Sequence, residues 1–566
     1  MKHRAPDAPR SNAGALHGLL FAGWHPYGWI FLLGCIVHLH TVLFGFAYFV
    51  DDIFILNVPA LVENPRSILR AFIMPTFSIY YRPLVTVSLV IDTQIAGVSP
   101  AVYHAANVVY HLLTSCLVFA LLARLQYGRS LAFLGASLFV VHPLTAQAVA
   151  WIPGRNDSLL ALFALAAFVT FLDFLAAGRR RTYLLHIAFL ALALLTKENA
   201  VALPVMCLLF LYHQTRRKPL ARESLLLLAG WLAAGLTWFL LRAHALASVA
   251  PVSQHLASAG NIGRNAATLV ELAGKYVIPL RISTIGVHNA VSTGIGAAVV
   301  LALLALVARR KEARTPMVLL GASWFVLFLL PTLVVRIKPV DYLETRAYTS
   351  LFGATLLLAE LLRIRRSPLE GKRRLAVVPV VAALALITFV QESKYKTDIV
   401  FWSHAVEDCP RSHEMYFKLG MAYERAGSHL DEAGGAYRAA IALEPTRSSY
   451  HNNLGVVDAK AGRREEATEE FQRALDLDPR NAFPCHNLAV VYYSEAQFGD
   501  AERVWKRAVE LNSNLVGAHV GLIRLLAEQG RQAEARRYAR ALQERGVRVD
   551  PLSSNTPAPV FLSQQE

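Results

Sequence analysis

The chain has 566 residues, 55% of them hydrophobic and 17% charged, with a mean hydropathy of +0.39. A soluble protein of this length divides into several domains and carries more charge, so a wholly soluble architecture is excluded. The net charge of +16 raises nucleic-acid binding, but Lys and Arg fall in runs beside apolar stretches: Arg179–Arg181, Arg216–Lys218, Arg309–Lys311, Arg363 to Arg366 and Lys372–Arg374. That is the distribution of cytoplasmic loops under the positive-inside rule, and a nucleic-acid partner is set aside.

Residues 1–27 carry Lys2, Arg4 and Arg10 and read as a cytoplasmic N-terminus. The apolar run that follows lacks a small-residue cleavage site and ends at the acidic pair Asp51-Asp52, so an uncleaved first span is expected. About twenty apolar residues cross a bilayer. On that basis spans are expected near 28–50, 102–123, 130–148, 158–177, 183–196, 200–214, 224–247, 292–308, 316–335, 347–362 and 375–391, eleven in all. With the N-terminus inside, every basic run falls on the cytoplasmic side. Counting 264–282 as a crossing would carry Arg309–Lys311 outside, so that segment is expected to lie on or re-enter the outer surface.

The fold class expected is all-α: a transmembrane helix bundle over 28–391 with an outer loop at 51–101, then a helical solenoid. Residues 392–413 form a connecting helix, 414–546 the soluble array, and 547–566 a disordered tail. In the array Leu419-Gly420, Leu454-Gly455 and Leu488-Ala489 recur at spacings of 35 and 34, and Ala433, Ala467, Ala501 and Ala535 at a constant 34. Tyr437, Phe471 and Trp505 follow four positions later, and Pro445 and Pro479 close two units. This is the tetratricopeptide period, in which each helical hairpin buries its apolar face only against the next. Such a surface takes a protein partner, or serves as a rigid spacer. The five cysteines, Cys35, Cys116, Cys207, Cys409 and Cys485, show neither CxxC spacing nor a disulfide framework.

Polar residues that topology does not explain collect on the non-cytoplasmic face. Asp51 and Asp52 sit at the end of the first span, solvated by headgroup water or held for chemistry. His104, Asn107 and His111 are spaced i, i+3 and i+7 and face the bundle interior, where hydrogen bonding is a better reading than metal ligation. His142-Pro143 and Trp151-Ile152-Pro153-Gly154-Arg155-Asn156-Asp157 mark structured turns; Arg155 and Asp157 either pair with each other or meet substrate. Thr196-Lys197-Glu198-Asn199 interrupts an apolar hairpin, and Asp341 to Arg346 precedes the tenth span. A carboxylate pair and the cations Arg82, Arg155, Lys197, Arg336, Lys338 and Arg346 beside lipid suit transfer of a group from a lipid-linked phosphate. The carboxylate takes the proton of an attacking hydroxyl, and the cations stabilise the departing phosphate.

The ordered set of the acidic pair, Tyr81-Arg82-Pro83-Leu84, His104-Ala105-Ala106-Asn107 with His111, His142-Pro143, Ala148 to Ile152 with Gly154 to Asp157, Thr196-Lys197-Glu198 and Glu344-x-Arg346-x-Tyr348, followed by repeats, resembles the transmembrane-and-tetratricopeptide O-mannosyltransferases and their bacterial relatives. These are polyprenyl-phosphate-sugar glycosyltransferases of the GT-C superfamily. The resemblance implies a GT-C fold with a lumenal or periplasmic site, an inverting mechanism and a general base that maps to Asp51 or Asp52. It implies donor-phosphate or substrate contacts at Arg82, His104, His142, Arg155, Asp157, Lys197, Glu198, Glu344 and Arg346, a lipid-linked sugar (a mannose-like hexose) as co-substrate, and no evident cofactor, with divalent-metal dependence open. Where the family commonly reads HPxHTEAV, this chain has Thr145 and Gln147 in place of the His and Glu. The bacterial inner membrane is the expected location, with the endoplasmic reticulum presenting the same topology. The competing classes are an inactive membrane scaffold that acts through its repeats and a ligase or polymerase of lipid-linked glycans.

Overall fold

The computed structural model describes residues 21–47, 67–76, 80–215, 222–247, 261–279, 281–286, 288–309, 313–334, 344–363, 373–544 and 559–564. The chain divides into two compact units, residues 1–404 and 405–566. Among the described residues both are built from helices, with a single isolated bridge between Thr76 and Tyr80.

In the first unit, helices coincide with the expected apolar segments. Among the described residues six are long and apolar enough to cross a membrane alone: His25–Leu43, Pro100–Arg124, Ile152–Ala177, Glu223–Leu246, Ala290–Ala308 and Thr315–Val334. The total reaches eight if each of two bent pairs is one span, so the expected count of eleven crossings is not met by length and composition. The shortfall has a physical cause. Arg129–Val140 and Pro143–Ala150 meet at 52° where His142-Pro143 breaks the helix, and Leu351–Arg363 is 13 residues long. Pro26, Pro83 and Pro100 each open a helix, where a missing N–H is tolerated.

Part of the expected outer loop 51–101 is instead the helix Pro83–Ala96, which buries Val85, Leu89 and Val90 and has 14 residues, too few to span. Asp51 and Asp52 lie outside the described residues. The segment expected on the outer surface forms the amphipathic helix Asn261–Val277, with Asn265, Glu271 and Lys275 buried in the unit.

Helices Thr315–Val334 and Leu351–Arg363 cross at Gly321 and Gly353. A Cβ on Gly353 would lie 2.5 Å from the Gly321 carbonyl oxygen and 2.6 Å from the Phe325 nitrogen, so only glycine permits this approach.

The second unit is four helical hairpins: 413–426 with 430–443, 448–460 with 464–477, 482–494 with 498–511, and 516–528 with 532–543. The period-34 alanines Ala433, Ala467, Ala501 and Ala535 and the rings of Tyr437, Phe471 and Trp505 are all fully buried. Cβ atoms added at Gly420 and Gly455 would meet the Tyr437 and Phe471 rings at 2.6 and 2.7 Å, which explains the small residue at that repeat position, and one at Gly521 would meet the Trp505 ring of the preceding hairpin at 2.5 Å. The tail departs from expectation. Residues 559–564 are hydrogen-bonded to the array, and Phe561 and Leu562 pack apolar side chains on its surface.

Gly353→Leu is expected to destabilise the first unit by about 1–3 kcal/mol or more by overpacking. Gly235→Leu, whose Cβ meets nothing within 4 Å, serves as the control. Thermal unfolding of the detergent-solubilised chain, followed by size-exclusion profile, checks the difference.

Candidate active site

The site lies at the end of the bundle from which Pro100–Arg124 and Arg155–Ala177 both start. Their far ends are tied by Arg124, whose guanidinium donates to both carboxylate oxygens of Asp173 at 2.8 and 3.2 Å. At that far end Glu360 also receives Arg314, Arg363 and the Tyr127 hydroxyl. The basic run Arg179–Arg181 and Arg363 therefore adjoin the opposite end from the site residues.

At the near end each expected charge finds a partner distant in sequence. Arg155 is fully buried and does not pair with Asp157. Its Nη1 donates to Asp92 Oδ2 at 2.6 Å and to Ser88 Oγ at 3.2 Å, and its Nη2 to the Tyr103 carbonyl at 2.9 Å. Lys197 Nζ donates to Asp157 Oδ1 at 2.6 Å. Arg82 grips Glu198 with two bonds, Nη2 to Oε1 at 2.7 Å and Nε to Oε2 at 3.2 Å, and stacks 4.2 Å over the Tyr80 ring. Arg346 stands within electrostatic reach of Tyr80, Asp157, Arg82 and Glu198. Among the described residues it is the one cation of this group with no carboxylate at ion-pairing distance. Arg82, Lys197, Arg346, Asp157 and Glu198 thus form one cluster of three cations and two carboxylates.

Other expected residues take different roles. Glu344 turns away from the cluster and accepts from Lys275 Nζ at 2.5 Å and from Ser283 N and Oγ at 3.2 Å each, with its second oxygen unpartnered among the described residues. His142 uses both nitrogens on backbone: Nδ1 accepts from Leu144 N at 3.2 Å and Nε2 donates to the Tyr276 carbonyl at 2.9 Å. The His104, Asn107 and His111 stripe faces inward and satisfies broken backbone. Asn107 Nδ2 reaches the carbonyls of Val149, Trp151 and Ile152 at 3.0–3.4 Å, and His111 Nε2 donates to Val140 O at 3.0 Å. His104 Nε2 reaches the Gly45 carbonyl at 3.3 Å. Gln147 bridges two segments, donating to the Thr284 carbonyl at 3.1 Å and accepting from Thr345 N at 2.8 Å. A carboxylate at 147 could not donate to Thr284, so the amide suits this turn.

Sequence reading missed Asp92, placed inside a segment taken as loop, and Lys275. It also missed His38 and Glu392. His38 bridges Val140 O at 2.7 Å and Glu392 Oε1 at 2.5 Å. The signal for Asp92 was present: a single acid in an apolar run needs a cation. Arg336, Lys338, Asp341 and Tyr342 lie outside the described residues. No group of three His, Cys, Asp or Glu suited to a metal ion occurs among the described residues.

Removing one partner of a buried ion pair strands the other charge, at a cost of about 3–5 kcal/mol. Asp92→Ala is expected to destabilise the chain on that scale, whereas Asp173→Ala, from an exposed pair, is expected to cost about 0–1 kcal/mol. Thermal denaturation of the two solubilised variants side by side checks this.

Residues 83–241, which contain Arg82's neighbours, Asp92, Arg155, Asp157, Lys197 and Glu198, match the family model described as dolichyl-phosphate-mannose-protein mannosyltransferase, and residues 448–481 match the tetratricopeptide repeat. Protein O-mannosyl-transferase TMTC1 of Mus musculus is 36% identical over 141 residues, covering 23% of this chain and 15% of the relative. Protein O-mannosyl-transferase F38B6.6 of Caenorhabditis elegans is 29% identical over 154 residues, covering 26% and 22%. The chain therefore matches less than a quarter of the length of these relatives. ArnT from Cupriavidus metallidurans, solved bound to undecaprenyl phosphate, aligns with 80% of each chain at 16% identity and a TM-score of 0.42, a loose likeness. By its matched segments the chain resembles the dolichyl-phosphate-mannose-protein mannosyltransferases over residues 83–241 and the transmembrane-and-tetratricopeptide O-mannosyltransferases over a similar length, and it carries a tetratricopeptide repeat at 448–481.

Proposed function

We propose that the chain is an integral-membrane glycosyltransferase. It moves a mannose-like hexose from a polyprenyl-phosphate carrier to a hydroxyl acceptor on the periplasmic or lumenal face, with inversion. The observation that carries the reading is the cluster of Arg82, Lys197 and Arg346 against Asp157 and Glu198, three cations to two carboxylates among the described residues of the cluster. A phosphate diester brings the matching negative charge, and Arg346 offers it an uncommitted guanidinium. Most of this cluster falls within or beside the segment that matches the mannosyltransferase family.

In this mechanism Asp51 or Asp52 accepts the acceptor's hydroxyl proton as that oxygen bonds the anomeric carbon from the face opposite the phosphate. The bond from the anomeric carbon to the phosphate oxygen breaks, and its electron pair stays on the phosphate. Arg346, with Lys197 behind it, stabilises the added charge, so the leaving group needs no proton. Arg82 and Glu198 hold each other and the wall of the site. Arg155 acts at a distance: locked to Asp92 and the Tyr103 carbonyl, it positions the turn that carries Asp157. The repeats recruit a protein acceptor or partner.

A strain lacking the chain, rescued with single variants and read by glycan mass spectrometry, tests the proposal. The intact chain is expected to restore hexose-bearing species. Asp51→Asn or Asp52→Asn, whichever removes the base, is expected to lower transfer by about 10²–10⁴-fold at equal expression. Arg346→Ala is expected to lower it by about 10²-fold, as loss of one preorganised charge-stabilising donor does. Full rescue by both Asp variants overturns the reading and leaves a scaffold that acts through its repeats.

A further inference from the structure

The tetratricopeptide array already holds a peptide, and the peptide is its own C-terminal segment. We propose that the repeats form an extended-peptide site plugged in cis by residues 559–564, which a partner polypeptide displaces. This rests only on the second unit and stands apart from the sugar-transfer reading.

Two asparagines one repeat apart each grip one tail residue by both its backbone groups. Asn487 Nδ2 donates to the Leu562 carbonyl at 2.8 Å while its Oδ1 accepts from Leu562 N at 2.7 Å. Asn453 does the same to Gln564, with Nδ2 to the carbonyl at 3.0 Å and Oδ1 from the nitrogen at 2.7 Å. A primary amide carries both donor and acceptor, so it reads a peptide unit without reading its side chain. The spacing is matched on both sides: 34 residues of array separate Asn453 from Asn487, and two residues of extended chain, roughly 6.6–6.8 Å, separate Leu562 from Gln564. The tail runs antiparallel to the repeats, since the earlier repeat holds the later residue. Equivalent positions one repeat either way are Lys418 and Gly521, so the ladder has two rungs.

Side chains add selectivity to this backbone grip. Leu562 fills the space beside Gly517, where an added Cβ would come within 2.8 Å of its Cδ1. Phe561 stacks on Phe471 with ring centroids 6.3 Å apart. Asn481 Nδ2 donates to Gln564 Oε1 at 2.7 Å, and Ser563 Oγ donates to Glu424. His486 Nε2 donates to the Val560 carbonyl at 2.9 Å and its Nδ1 accepts from Trp505 Nε1 at 3.1 Å. Burial, only partly offset by the Val560 bond, holds that imidazole down at about 4, so both bonds persist at neutral pH. Residues 545–558 allow the segment to come from the same chain, since 15 steps from Glu544 to Pro559 reach up to about 50 Å. Backbone-reading rungs with alternate side-chain pockets are how extended peptides are recognised. The fitting partner is an extended segment of an aromatic, an aliphatic, a hydroxyl and an amide residue in that order.

A fluorescently labelled peptide of residues 556–566 is titrated against the full chain and against a chain ended at residue 558, both in detergent. Anisotropy is expected to show binding to the truncated chain at least 10-fold tighter than to the intact one. Gly517→Ala in the truncated chain is expected to weaken binding at least 10-fold, while Asp500→Ala, an exposed residue on an outer helix, does not. Equal affinity for both chains, or none for the truncated one, overturns the proposal. In the intact chain, Ser563→Cys with Glu424→Cys is expected to form an intramolecular disulfide. A predominantly intermolecular one places a second copy's tail in the groove and overturns the cis plug.

Discussion

At the near end of the bundle Arg82, Arg155 and Lys197 are each met by a carboxylate from another part of the chain, and the surrounding segments are arranged around that requirement. An ion taken from water into a protein interior costs several kcal/mol unless pairing and hydrogen bonds offset it. Arg155 satisfies this through the 83–96 helix, Lys197 through the start of 155–177, and Arg82 through the turn after 180–196. These bonds stitch three segments, 82–96, the start of 155–177 and the turn at 197–198, into one corner. Arg346 stands out because, among the described residues of the cluster, the other cations are neutralised pair by pair.

The same logic governs uncharged backbone. A helix broken inside a bundle leaves carbonyls and N–H groups that water cannot reach. The break at His142-Pro143 exposes the ends of two short helices, and side chains from three spans close them. His38 and His111 both donate to Val140 O, and Thr388 donates to Val141 O at 2.6 Å. Asn107 serves the carbonyls of the following turn. The polar stripe on Pro100–Arg124 is therefore a support for the broken turns beside the charged cluster.

In the second unit the stacking of period-34 residues creates a surface on which identical positions recur at a fixed rise. Asparagine at two successive copies of one position becomes a ruler for an extended backbone. A tail made of residues that look unstructured in isolation acquires a conformation because the array supplies the hydrogen bonds that its own sequence cannot.

The amino-acid sequence by itself determined the class of each unit. Apolar length, basic runs and a 34-residue period are local or repeating signals, and helices formed where they fell. It also marked segments that carry buried, paired charge, since charges beside lipid are costly wherever they point. Tertiary structure alone decided who pairs with whom. Arg155 with Asp157 was the natural sequence pairing because they are two residues apart. In the fold, two residues on a helix point to different faces, and Arg155 meets Asp92 while Asp157 meets Lys197. The helix at 83–96, too short for a span and apolar enough to be buried, and the docked tail were invisible for one reason: each is stabilised by contacts with residues far away in the chain.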